Sequence, residues 1–205
     1  MDAPHLYCKF LDELHWRLDN IAPFVLSLPA TGNTYGINRD LLLRIYDTWR
    51  NAYNWREREK FLNQYPQFMI RVQGLLIHYL HVKPEQPEQP EDEYLEDWTL
   101  PVYPILLLHG WPGSIREFYE MIPELTSNKN KRVLLEVIAP SLPGFGFSEP
   151  PSRPGLDALN MAVLFKNFMN RLGFEEFYVH GGRLGRNYRP IDGHPLSELR
   201  NRDAL

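Results

Sequence analysis

Near the start of the chain the apolar residues Leu6, Phe10, Leu11, Leu14 and Leu18 recur at helical spacing, which predicts an amphipathic helix. A proline-containing loop follows from Pro23 to Gly36. Asn38 then suits the cap of a second helix, whose Leu42, Ile45, Tyr46, Trp49 and Tyr53 share one face. The aromatic part of that stripe, Tyr46, Trp49 and Tyr53, is most simply core. Asn54 is placed to cap a short charged helix that ends near Pro66, and its "WREREK" run predicts a solvated face. At Phe68, Ile70 and Val72 the apolar period falls to two. "QG" makes a turn, and "LLIHYLHV" continues as a second strand, so a β-hairpin is expected.

The next stretch, "PEQPEQPEDEYLED", carries seven acidic residues, three prolines and no basic residue, which predicts a solvated loop. Beyond it "ILLLHG" is a buried strand, and Ser114 with Glu117 forms a capping-box pattern for a helix running through Leu125. "VLLEVIAP" is the next strand. A glycine-proline loop, "SLPGFGFSEPP", leads to the helix "LNMAVLFKNFMNRLG", which Gly173 stops, and then to the strand "EEFYVHGG". Strand, helix, strand, helix, strand predicts an α/β fold with a mostly parallel sheet and crossover helices, preceded by a helical segment. The organisation expected is a helical segment over residues 1–66, an α/β region over 67–185 with an acidic loop at 84–97, and an irregular tail over 186–205.

Composition narrows the function. The 205 residues are 43% hydrophobic and 23% charged, with a net charge of -4, which suits one large soluble domain or a domain with an attachment. Basic residues are spread thinly, so no nucleic acid partner is expected and no footprint for an anionic membrane surface is visible. Cys8 is the only cysteine and cannot close an internal disulfide, which fits a reducing compartment. No apolar run reaches the roughly 18 to 20 residues of a membrane helix. As written, the chain reads as soluble.

Two glycine-rich stretches carry the chemistry. In "GGRLG" small residues flank Arg183 at the spacing of a nucleophile elbow, where Gly181, Gly182 and Gly185 leave room for a central residue at positive φ. An ordinary glycine turn would look the same. "HGWPGS" follows a strand and suits a loop supplying an oxyanion-hole N–H from Trp111, with Pro112 and Gly113 fixing the bend. The two occur some seventy residues apart, in the chain order of a hydrolase, and reinforce each other. His78 and His81 look like a metal pair, but in a strand residues three apart face opposite ways, so no metal site is expected. "GFGFSEP" lacks the last glycine of G-x-S-x-G and the third of G-x-G-x-x-G. Ser148 is therefore a poor nucleophile candidate, leaving a serine esterase as a minor alternative, and no cofactor is implied.

Together "YDTWRNAYNWREREKFLNQYPQF", "GLLIHYLHVKP", "LLHGWPGSIREFYEMIPELT", "VIAPSLPGFGFSEP" and "RLGFEEFYVHGG" resemble the microsomal and juvenile-hormone type epoxide hydrolases over roughly residues 35 to 182. The resemblance implies a partial α/β-hydrolase fold behind a wrapping N-terminal segment. It implies that an elbow aspartate opens an apolar epoxide to an ester, that a histidine oriented by an acid activates the hydrolytic water, and that two lid tyrosines polarise the epoxide oxygen. Trp111 takes the first oxyanion position and Leu184 the second. His109, Gly110, Pro112 and Gly113 support the first loop, and Gly181, Gly182 and Gly185 the elbow.

Position 183 departs from the pattern. The family has Gly-Gly-Asp-Trp-Gly where this chain has Gly181, Gly182, Arg183, Leu184 and Gly185. A guanidinium stays protonated and cannot attack carbon. The following "RNYRPIDGHPLSELRNRDAL" suits no helix packed beneath a sheet. The later strands, lid, acid and base find no counterpart before Leu205, so the chain is expected to be inactive, with a non-enzymatic binding or regulatory role as the alternative. One base inserted in the glycine codon of GGC-GAT-TGG-GG would yield Gly-Arg-Leu-Gly, and the coding DNA tests that origin. The family's location is the endoplasmic reticulum membrane, through an anchor not seen here. An open sheet edge is expected to favour self-association.

Overall fold

The computed structural model describes residues 8–86, 99–128 and 132–181. The chain divides into two units that meet in sequence between Gln64 and Tyr65. The first carries helices α1 (Cys8–Asp19), α2 (Arg39–Asn51) and α3 (Trp55–Leu62). Both asparagine caps form as their sequence positions require. Asn38 lies in the β region, and its side chain accepts the Asp40 amide at 2.8 Å; Asn54 accepts the Arg56 amide at 3.0 Å. α1 buries Leu18, whose carbonyl accepts the Tyr46 hydroxyl at 2.5 Å, and Asp19 accepts from Arg50 Nε at 2.7 Å.

The rest of the aromatic stripe is not core. Trp49 and Tyr53 are 46% and 41% exposed and, with Leu11, Leu14, Ile45 and Trp55, line an open apolar groove of about 820 Å³. Three short helices make too thin a layer to enclose a stripe that wide, and no residue of α2 is fully buried. The charged helix departs from expectation in the other direction. Glu59 is buried, with Arg56 Nη1 2.6 Å from its carboxylate, so that face is not wholly solvated.

The second unit opens with the hairpin of β1 (Gln67–Val72) and β2 (Leu75–Val82), whose register brings Val72 opposite Leu75. That leaves a two-residue turn, and Gln73 and Gly74 both take positive φ, 49° and 87°, as a type I′ turn demands. With β3 (Val102–Leu108), β4 (Leu134–Pro140) and β5 (Tyr178–Gly181) they make one sheet in the order β1-β2-β4-β3-β5. The sheet is mixed. β3 pairs parallel with β4 and β5, while β2 pairs antiparallel with β1 and β4.

One face is covered by α5 (Ala158–Arg171), whose Met161, Leu164, Phe165, Phe168 and Met169 pack with Val72, Ile77, Tyr79, Leu106, Leu108 and Ile138. The alternate positions Leu80, Leu107, Val137 and Ala139 are fully buried too, as expected of a sheet covered on both faces. The helix expected from Ser114 through Leu125 is broken into a 3-10 turn, Ile115–Phe118, and a short α4, Ile122–Thr126. Pro123 explains the break: it has no N–H to give the Tyr119 carbonyl four residues back, and that carbonyl accepts the Tyr65 hydroxyl at 3.0 Å instead. No helix of the described residues is long and apolar enough to cross a membrane.

Candidate functional site

Register fixes where the site lies. β3 and β5 run parallel with Leu108 opposite Gly181, so the chain leaves both strands at their carboxyl ends, side by side. In open α/β sheets this edge is where ligands bind. His109, Gly110, Trp111, Pro112 and Gly113 follow β3 there, and Gly181 closes β5 beside them. Gly182, Arg183, Leu184 and Gly185 lie outside the described residues.

The loop after β3 is held from within. The Gly110 carbonyl accepts the Gly113 amide at 2.9 Å, and His109 Nδ1 lies 3.0 Å from the same oxygen. Nε2 of His109 accepts the Leu142 amide at 3.0 Å, tying this loop to the one after β4. His109 is completely buried, its ring meets Phe145 edge to face at 5.3 Å, and burial pushes its pKa below the ordinary histidine value. The Trp111–Pro112 peptide is cis, and the Trp111 side chain is 60% exposed. Among the described residues the Trp111 N–H has no acceptor, which leaves a backbone donor for a ligand. Gly113 could carry no β-carbon without change, since one would fall 1.3 Å from Glu117 Oε1. The Glu117 carboxylate thus lies against this loop rather than completing a capping box; Ser114 Oγ accepts the Arg116 amide at 3.3 Å.

The loop after β4 turns on Gly144 and Gly146, with φ of 82° and 53°. A β-carbon on Gly146 would stand 2.8 Å from Ser141 Oγ, so glycine is required there for space as well as for conformation. Beneath it lies a buried polar network absent from the sequence reading. His78 Nδ1 is 3.0 Å from Ser141 Oγ and its Nε2 2.8 Å from Gln67 Oε1. The His78 amide donates to Ser148 Oγ at 2.9 Å, and that hydroxyl donates to the Ser141 carbonyl at 2.7 Å. Both of these contacts of Ser148 are structural, and among the described residues no imidazole nitrogen is hydrogen-bonded to its hydroxyl, as a serine nucleophile would need. His81, three residues on, lies at 2.6 Å from Glu136 and edge-on to Phe174, away from His78. The one available signal for the network was the appearance of polar side chains, Gln67, His78 and Ser141, in otherwise apolar strands and their ends.

A mixed sheet with helices packed on it and glycine-held loops at the carboxyl ends of its parallel strands is the architecture of an α/β-hydrolase. The model of the alpha/beta hydrolase fold accordingly matches residues 103–185, and that of the epoxide hydrolase N terminus matches residues 4–118, more than half of the chain. The chain belongs to the epoxide hydrolase family. It is 47% identical over 174 residues to juvenile hormone epoxide hydrolase of Bombyx mori, covering 84% of this chain and 36% of that protein. To epoxide hydrolase 1 of Sus scrofa it is 40% identical over 181 residues, 85% of this chain and 37% of the relative. The crystal structure of the Bombyx mori juvenile hormone epoxide hydrolase matches with a TM-score of 0.79 at 43% identity, covering 91% of this chain and 42% of that one. The Aspergillus niger epoxide hydrolase matches with a TM-score of 0.72 at 29% identity, over 90% and 46% of the two chains. The chain thus spans little more than a third of the length of these curated relatives.

Proposed function

We propose that this chain carries the N-terminal segment and the first half of the hydrolase unit of an enzyme that opens apolar epoxides to diols, with Trp111 N–H as one oxyanion donor and Leu184 N–H as the other. The observation that supports this reading is the trans-strand register, Leu108 opposite Gly181, which sets the start of the glycine elbow beside the Trp111 loop. Attack on an epoxide carbon needs a carboxylate in the elbow, and Arg183 stands at the aspartate's position. The guanidinium has no lone pair to offer at working pH.

The chain by itself is therefore expected to bind without turning over. In a serine protease triad, loss of the nucleophile lowers turnover about 10⁶-fold, roughly 8 kcal/mol of barrier. That comparison sets the scale expected for Arg183. An assay of diol release from an apolar aryl epoxide by the purified chain tests it. No diol above the uncatalysed background is expected, and turnover at about 1 s⁻¹ or faster would overturn the reading of Arg183.

A further inference from the structure

We infer that His109 is a positioning residue: fixed as the Nδ1–H tautomer, its imidazole sets the direction in which the Trp111 N–H points. The inference deepens the proposed oxyanion role of Trp111 and rests on it. The Gly110–Trp111 peptide is trans, so its C=O and N–H point in opposite directions across one rigid plane. Whatever holds the Gly110 carbonyl therefore aims the Trp111 amide. Two donors hold it, the Gly113 amide at 2.9 Å and the His109 imidazole at 3.0 Å. Both pull the oxygen into the loop, which turns the Trp111 N–H outward, where it has no acceptor among the described residues.

The tautomer follows from the partners. A backbone amide can only donate, so the Leu142 N–H, 3.0 Å away, requires a lone pair on Nε2. A backbone carbonyl can only accept, so the contact with Gly110 requires the proton on Nδ1. No other protonation state satisfies both contacts: the Nε2–H tautomer and the imidazolium each set two donors face to face at Leu142. Complete burial against Phe145 excludes water as a substitute partner. Glu117, on the 3-10 turn, is the charged group whose field reaches the ring, and it favours protonation. The donor-to-donor conflict at Leu142 and the burial act against it. His109 thus joins the carboxyl end of β3 to the loop after β4 and orients a peptide one residue away.

Long-range imidazole ¹H–¹⁵N correlation on the uniformly labelled chain reads the tautomer without any substitution. A proton on Nδ1 and a bare Nε2 are expected; an Nε2-protonated or mixed ring overturns the inference. Variants then separate positioning from mere filling. His109→Asn keeps a donor near Nδ1, His109→Gln keeps an acceptor near Nε2, and His109→Ala keeps neither. One hydrogen bond is worth about a tenfold change in amide exchange. His109→Asn is expected to speed exchange at Leu142 by about tenfold while holding the Gly113 rate and the Trp111 amide shift. His109→Gln should do the reverse, and His109→Ala should move all three amides. Equal loosening of all three by every variant would leave His109 a filler of space and sink the inference. Added acetate tests the oxyanion role separately. A Trp111 amide that ignores acetate, with the tautomer and exchange pattern intact, would count against Trp111 as a donor and not against the hold of His109 on it.

Discussion

Acid should weaken this fold through His78 in a way that one substitution exposes. The ring is fully buried between Ser141 and Gln67, both neutral, and burial lowers its pKa from 6.5 to about 4. The native chain then stays unprotonated at His78 down to about pH 4, whereas the unfolded chain takes a proton near pH 6.5. Between those values the unfolded state binds more protons, so stability falls as pH falls; below about 4 both states are protonated and the loss stops growing. The displacement amounts to roughly 3 kcal/mol in all, at a slope of up to about 1.4 kcal/mol per pH unit. Urea unfolding of the chain and of His78→Gln at several pH values from 7 to 4.5 measures it. Other titrating groups act on both proteins and cancel in the difference. Wild-type stability should fall more steeply than that of the variant over this window. Parallel curves would refute the assignment of a neutral, buried His78.

Packing and local chemistry give further expectations. Phe168 is fully buried and meets Tyr79 edge to face at 5.2 Å, so Phe168→Ala should cost about 3–5 kcal/mol in urea unfolding. Gly146→Ala combines a left-handed φ with a β-carbon 2.8 Å from Ser141 Oγ. A loss of about 2–4 kcal/mol is expected from strain plus a disturbed buried hydrogen bond, with the His78 ring resonances shifting alongside. Gln73→Gly relieves a side chain held at φ 49° and should stabilise the hairpin by about 0.5 kcal/mol, seen as a raised urea midpoint. Asn38→Ala removes the acceptor of the Asp40 amide and should cost about 1 kcal/mol, visible as lost helical circular dichroism from the first unit.

What could be read in advance was whatever a few neighbouring residues decide among themselves. Asn38 and Asn54 cap because a side-chain oxygen two residues from an amide needs no distant partner. Gln73-Gly74 turns because the two strands beside it alternate in register. The motif HGWPGS was legible as a loop after a strand, but not the partner that steadies it, since Leu142 lies 33 residues beyond His109. The same holds for His78, whose ring partners stand 11 and 63 residues away and meet it only when the sheet forms. Misreadings were local rules overruled. The Ser114 and Glu117 pattern promised one helix, and Pro123 together with the Tyr65 hydroxyl divided it. The stripe on α2 had the period of a core face, but the first unit's own helices leave Trp49 and Tyr53 exposed.

The two halves of the proposed site differ in what they depend on. The Trp111 donor is aimed by Gly110, Gly113, His109 and Leu142, whose bonds close within residues 109–142 and involve no elbow residue. The nucleophile position proposed at 183, by contrast, is one side chain, and a guanidinium there in place of a carboxylate would change its chemistry outright without altering those bonds. An intact oxyanion loop is therefore compatible with a chain that cannot attack an epoxide. Family membership, carried by the N-terminal segment and the hydrolase fold, and catalytic competence, which the proposed function makes turn on position 183, are separate properties of this polypeptide. Measuring the Trp111 amide and measuring diol release address them one at a time, and under the proposed function the chain is expected to pass the first and fail the second.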